Sequence, residues 1–326
     1  MEYRSEIEYE IIPAPAPDPK PVRRAASICA FAAVVQILIA YGLVTGFSVL
    51  MSAVFHTEVS ADWSLIVNTV VIDLIAMPLA WLLLLRQSPR NALREAEAPQ
   101  PLSFRAFFFY LPCAFVLMYA GALTGRLVGV LLGKGLNDVV DGMIGSVNPW
   151  ISLLCAGIIG PIAEELFFRK AMIDRLSGFH PTDAILFSAL LFGLSHGNLT
   201  QFLYAFPLGV LFGFVYYRTQ NIGHTILLHV AVNILGGVVP QVINLLEEAD
   251  AQNSVLQLIA SLATALYSMM TIVLCVFGII HLIRRRRQFF PIRTELPRFR
   301  RPFYINAGFI VACVVFTGLF ILAEVL

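Results

Sequence analysis

Residues 257–283 read QLIASLATALYSMMTIVLCVFGIIHLI and run directly into Arg284-Arg285-Arg286-Arg287. The run holds no Asp, Glu, Lys or Arg. As a helix it would extend about 40 Å, more than the roughly 30 Å of a bilayer's hydrocarbon core, and the arginines would stop it at one interface. Eight other windows are predominantly apolar, at 26–48, 64–86, 106–132, 149–176, 182–197, 200–218, 223–245 and 304–326. The predicted fold is therefore all-α, a polytopic transmembrane bundle of about nine helices.

Composition supports this reading. Hydrophobic residues make up 58% of the chain and charged ones 13%, about half the charged share of an ordinary soluble domain. A formal net charge of +1 gives no electrostatic footprint for a nucleic acid partner, and membrane lipids are the partners expected. Cys29, Cys113, Cys155, Cys275 and Cys313 all lie inside apolar windows without a close-spaced pair, so they read as small packing residues.

Cationic side chains mark alternate connections. Arg23 and Arg24 precede the first window. Arg86, Arg90, Arg94 and Arg105 join the second to the third, and Arg284 to Arg287 with Arg293, Arg298, Arg300 and Arg301 join the last two. The connections between are neutral or acidic. By the positive-inside rule the amino terminus is cytoplasmic, and the absence of targeting signals suits a bacterial inner membrane. Residues 1–25, with Pro13-Ala-Pro-Ala-Pro-Asp-Pro-Lys-Pro21, read as a disordered cytoplasmic tail. Windows within 26–135 and 257–326 flank a central segment, 149–245, that holds the unusual chemistry.

Ionisable groups within a bilayer cost several kcal/mol, so each is a functional candidate. The fourth window carries Pro161-Ile-Ala-Glu-Glu-Leu-Phe-Phe-Arg169, the fifth Phe192-Gly-Leu-Ser-His196 and the seventh His229-Val-Ala-Val-Asn233. Glu165 and Arg169, four residues apart, are expected to form an ion pair, leaving Glu164 turned about a hundred degrees away as the free carboxylate. His229 and Asn233 share one helix face, as do Phe192 and His196. The fourth and fifth windows form a hairpin turning at Ser177-Gly-Phe-His-Pro181, which puts Glu164 and His196 level, roughly 22–26 Å above the turn. Such a set suits hydrolysis of a carbonyl compound: Glu164 takes a proton from water, His196 orients it, and His229 with Asn233 donates to the developing oxyanion.

The motifs Glu164-Glu165-x-x-x-Arg169, Phe192-x-x-x-His196 and His229-x-x-x-Asn233, in that order on successive helices, resemble the three signatures of the CPBP family, the CAAX-protease and bacteriocin-processing group that includes the type II CAAX prenyl endopeptidases. The resemblance covers about 149–245. It implies a helical catalytic core there, Glu164 as catalytic base, His196 as its partner on the water, His229 and Asn233 on the oxyanion side, and Glu165, Arg169 and Phe192 in support. It also implies a membrane-associated or prenylated peptide substrate. Glu164, His196 and His229 could alternatively ligate zinc. The chain lacks His-Glu-x-x-His, so no cofactor is the preferred reading. A non-catalytic regulatory or scaffold protein of the same fold, and a transporter, are the competing functions.

Four further features fall outside the motifs. Asp73 and Arg126 are expected to pair across helices. Pro161, Pro207 and Pro240 are expected to disturb their helices. Gly209 and Gly213 are spaced for close packing. His56, His180, His224 and His281 fall at window ends.

Overall fold

The structure, a computed structural model, describes residues 18–56, 59–85, 104–131, 146–248, 254–285, 292, 296 and 298–325. Most of the proline-rich lead and of the arginine-bearing connections at 86–103 and 286–297 lie outside the described residues. Among the described residues there is no strand, and the chain is a helical bundle. Its helices are α1 (Lys20–Phe55), α2 (Ala61–Leu85), α3 (Phe104–Leu131), α4 (Pro149–Ile173), α5 (Pro181–Leu194), α6 (Leu199–Thr219), α7 (Ile222–Glu248), α8 (Ser254–Arg284), the short α9 (Arg300–Tyr304) and α10 (Ala307–Val325).

Seven of these, α1 to α4 and α6 to α8, are long and apolar enough to cross a membrane, so the protein is a multi-pass membrane protein. The fifth and ninth sequence windows form shorter apolar helices, Pro181–Leu194 and Ala307–Ala323, where full crossings were expected. α5 stops because Ser195 and His196 both bond the Phe192 carbonyl and Gly197 takes a left-handed φ of 71°. Glycine adopts that conformation without steric penalty. α1, conversely, begins at Lys20, six residues before its window and inside the segment read as disordered tail. Pro21 in its first turn needs no N–H there.

Four stretches widen from α to π geometry: Val70–Ala76 in α2, Leu153–Ile159 and Glu165–Ile173 in α4, and Ile234–Val238 in α7. Three of them end two residues before a proline, at Pro78, Pro161 and Pro240. A proline ring clashes with the carbonyl four residues back, and a wider turn moves that carbonyl away. Pro112 and Pro207 sit in helices that remain α, so proline alone does not dictate the widening.

Two cores form. One gathers α1, α2, α4, α5 and α10 around Phe167, Phe168, Phe187, Phe192 and Phe316; the other gathers α3, α6 and α7 around Phe115, Phe212, Val215 and Val232. α6 packs on both α5 and α3. A Cβ on Gly209 would sit 3.0 Å from Phe192 and 3.1 Å from Ala189, and one on Gly213 would sit 3.0 Å from Ile185, so these glycines do allow the close approach of α6 to α5. All five cysteines are free, with Cys29, Cys113 and Cys155 buried.

Candidate active site

The seam between the two cores is where the polar residues of α4, α5 and α7 meet. Glu164 ends the α-helical turn Gly160–Glu164, and the π stretch begins at the next residue. The pair therefore diverges: Glu165 is fully buried, while the Glu164 side chain keeps 21% exposure. Arg169 lies 3.2 Å from Glu165 Oε1, the expected ion pair. Its guanidinium also rests 4.1 Å from the centre of the Phe192 ring and 5.5 Å from that of Phe212. Ring faces attract a cation, which offsets part of the desolvation of a charge with no solvent contact.

His229, 4% exposed, joins the two glutamates. Its Nδ1–H donates to Glu165 Oε1 at 2.9 Å, and its Nε2 stands 3.6 Å from Glu164 Oε2. Glu164 is thus not the unpartnered carboxylate that helical spacing suggested, and Glu165 holds a histidine as well as an arginine. The imidazole is walled by Phe212, tilted at 4.9 Å, and by Phe192, edge-on at 5.9 Å.

Phe192 also meets His196 edge-on at 4.9 Å, so one ring separates the two imidazoles. His196 Nδ1 lies 2.8 Å from the Phe192 carbonyl, which can only accept. The proton is then on Nδ1, and Nε2 carries the lone pair. His196 thus caps the end of α5 with one ring nitrogen. An interrupted helix at membrane depth needs such a partner for its last carbonyls. Asn233 Nδ2 donates to Ala156 O of α4 at 2.9 Å, tying α7 to the π stretch that precedes Pro161.

Helical register across three helices thus brings together Glu164, Glu165, Arg169, Phe192, His196 and His229, with Asn233 one helical turn beyond His229. Phe212 was not foreseen. It reaches the site because α6 touches both α5 and α7, and no periodicity within α6 reports that. Asp73 does not pair with Arg126: its carboxylate lies against Gly160 of α4, 3.7 Å from where a Cβ would stand. His56, His180, His224 and His281 fall at helix ends as expected. Zinc would need three donors around a shared point. No group of three His, Cys, Asp or Glu side chains among the described residues has that arrangement.

Residues 146–235 match the family model "Type II CAAX prenyl endopeptidase Rce1-like". Among curated proteins, "Putative membrane peptidase YdiL" of Bacillus subtilis (strain 168) is 28% identical over 168 residues, covering 50% of this chain and 67% of that protein. "Membrane-embedded CAAX protease MroQ" of Staphylococcus aureus (strain USA300) is 25% identical over 147 residues, 43% of this chain and 60% of its own length. "UPF0177 protein YxdF" of Lactococcus lactis is 26% identical over 131 residues, 40% of this chain and 71% of that one. No solved structure matches the chain. The family match spans Glu164 to Asn233 and so takes in all three motifs; this chain is a multi-pass membrane protein that over residues 146–235 is similar to the Rce1-like type II CAAX prenyl endopeptidases.

Proposed function

We propose that the protein is an intramembrane endopeptidase in which Glu164 activates a water against a peptide bond. The observation that carries this reading is the His229 ring, fixed through Nδ1 to Glu165 and presenting Nε2 to Glu164. Glu164 is the partly exposed member of the glutamate pair, the one a water can reach. It accepts the water proton as the oxygen adds to the carbonyl carbon, and later returns a proton to the leaving amine. His196, with its lone pair on Nε2, accepts from the second hydrogen of that water and aims its oxygen. His229, when Nε2 carries a proton, donates to the carbonyl oxygen as negative charge builds there, and Glu165 stabilises the resulting imidazolium. Asn233 assists with the Nδ2 hydrogen not used on Ala156. No step is routed through a metal ion.

The substrate in this reading is a membrane-associated peptide, prenylated in the relatives that give the family its name, and the site opens toward the cytosol of a bacterial inner membrane with the amino terminus on that side. Purified protein in liposomes, with a fluorogenic membrane peptide, tests the reading. Glu164→Ala is expected to insert and unfold like the parent and to lose cleavage by a factor of about 10²–10⁴. Equal cleavage by both proteins sinks it. No cleavage by either, with retained binding of a membrane partner, favours a regulatory protein; solute flux abolished by Glu164→Ala favours a transporter. Full activity after exhaustive chelation, with no zinc by elemental analysis, is expected for the metal-free chemistry.

A further inference from the structure

Beside the site, between α2 and α4, lies a cleft of about 310 Å³ that is lined by none of Glu164, Glu165, Arg169, Phe192, His196, His229 and Asn233. Leu74, Met77 and Trp81 wall it from α2, and Ile159, Ile162 and Leu166 from α4. Leu74 and Ile162 are 54% and 36% exposed, so the cleft opens on the apolar outer surface of the bundle. Its walls are apolar with one charged exception, Asp73, which is 9% exposed. Asp73 has no hydrogen bond or ion pair to any described residue, although an intramembrane carboxylate ordinarily finds a donor or a cation.

The surroundings of Asp73 explain why it lacks one. It stands against Gly160, and Glu164 is four residues further along the same α-helical turn, hence on the same face. Ionised together, Asp73 and Glu164 would repel one another across that turn. The nearby cation, Arg169, is taken by Glu165, Phe192 and Phe212. Asp73 thus faces a low-dielectric cleft whose walls provide no positive charge, with Glu164 close by on α4, and a cation brought in by a ligand would relieve both its burial and its repulsion by that second carboxylate. The rest of the cleft offers only apolar contact, which suits aliphatic side chains flanking that cation.

We propose that Asp73 is a specificity-determining residue that binds one lysine or arginine side chain of an otherwise apolar peptide, seated between α2 and α4 beside Glu164. The proposal rests on the peptidase reading for the identity of the ligand as substrate, but the binding it describes is measurable without cleavage.

The experiment uses the full chain in nanodiscs and a short leucine–alanine peptide carrying a benzophenone photolabel and one lysine, compared with the same peptide bearing norleucine instead. Photolabelling yield reads binding, and fluorescence of released product reads cleavage. The lysine peptide is expected to label the parent about tenfold more strongly, the scale of a hydrogen-bonded charge pair. Asp73→Asn is expected to bring the two peptides to equal labelling, and Asp73→Glu to restore part of the difference. Ile162→Lys, which supplies a cation from the facing wall, is expected to erase the preference without touching Asp73. Equal labelling of the parent by both peptides, or a preference that survives both Asp73→Asn and Ile162→Lys, overturns the proposal. Lysine-dependent labelling with no cleavage of any peptide would leave this assignment standing while removing the peptidase reading.

Discussion

Helices α4 and α8 are both long and apolar enough to span a membrane, yet they were built for different surroundings. α4 buries Glu165 and Arg169 completely, contains two π stretches, and is touched by α2, α5 and α7. α8 is a regular α-helix whose fully buried residues are Ala260 and Gly278, and it packs on α3 and on the end of α7. Hydropathy alone does not separate the two. What separates them is that α4 carries charges that cannot face lipid, so its neighbours must supply compensating groups, while α8 carries apolar side chains for which lipid is as good a solvent as protein. The order of sensitivity to substitution follows from this contrast.

The largest effect is expected where a buried charge loses its partner. Arg169→Leu leaves Glu165 fully buried with only His229 beside it and removes the cation from between Phe192 and Phe212; a loss of about 3–5 kcal/mol is expected, read by thermal or denaturant unfolding in detergent. The double replacement Glu165→Leu with Arg169→Leu is expected to regain much of that loss, because a buried pair is often little better than apolar residues of similar volume. Cleavage should stay absent in the double variant, since His229 loses the acceptor of its Nδ1–H. A double variant no more stable than Arg169→Leu would show that α4 resembles α8 more closely than its charges suggest.

Next in size is Asn233→Ala. The side chain donates to Ala156, so its removal is expected to cost about 1 kcal/mol of stability, the scale of one hydrogen bond. The proposed donation to the oxyanion is expected to show separately, as a fall in kcat of about 10²–10³ with little change in KM. A variant that loses stability but keeps kcat would assign Asn233 to the α4–α7 tie alone. That measurement sharpens the contrast inside α7, whose His229 meets the two glutamates and whose Asn233 is anchored to backbone.

Gly209→Leu tests packing, and its effect on kcat is expected to fall below that of Asn233→Ala. Its new Cβ would press on Phe192 at 3.0 Å and on Ala189 at 3.1 Å, neither of which can swing away, because Phe192 is packed between His196, His229 and Arg169. Overpacking of this kind typically costs about 1–3 kcal/mol. Since the displaced ring separates the two imidazoles, activity is expected to fall further than stability. Parallel loss in both would mean that Phe192 acts only as filler.

The three motifs, the Glu165–Arg169 pair and the packing role of Gly209 and Gly213 were readable because each depends on spacing within one helix or between neighbours in the chain. What was not readable depends on register between helices. Spacing on α4 showed that Glu164 and Glu165 diverge, but whether either meets His229 is decided by the depth and rotation of α7. Asp73 was assigned to Arg126 as the cation of the next window, whereas the fold turns it toward Gly160. The early end of α5 was hidden by its apolar composition, although Ser195-His196-Gly197-Asn198 contains every residue that ends it. The π stretches were half legible: Pro78, Pro161 and Pro240 follow one, and Pro112 and Pro207 do not.

The smallest effect belongs to α8. Ile272 is 62% exposed on a face that in the membrane meets lipid chains. Ile272→Val removes one methylene group from an environment where lipid fills the space left, so no cavity forms and the term that dominates core truncations vanishes. The expected change is within about 0.5 kcal/mol, with cleavage unaltered. The same substitution at Ile185, fully buried between α4 and α6 in contact range of a Cβ on Gly213, is expected to cost about 0.5–1.5 kcal/mol. Measured side by side in one detergent, the two isoleucines compare protein-packed with lipid-facing surface at constant chemistry. Equal costs at both positions would mean that the exposed face of α8 is covered by protein in the membrane.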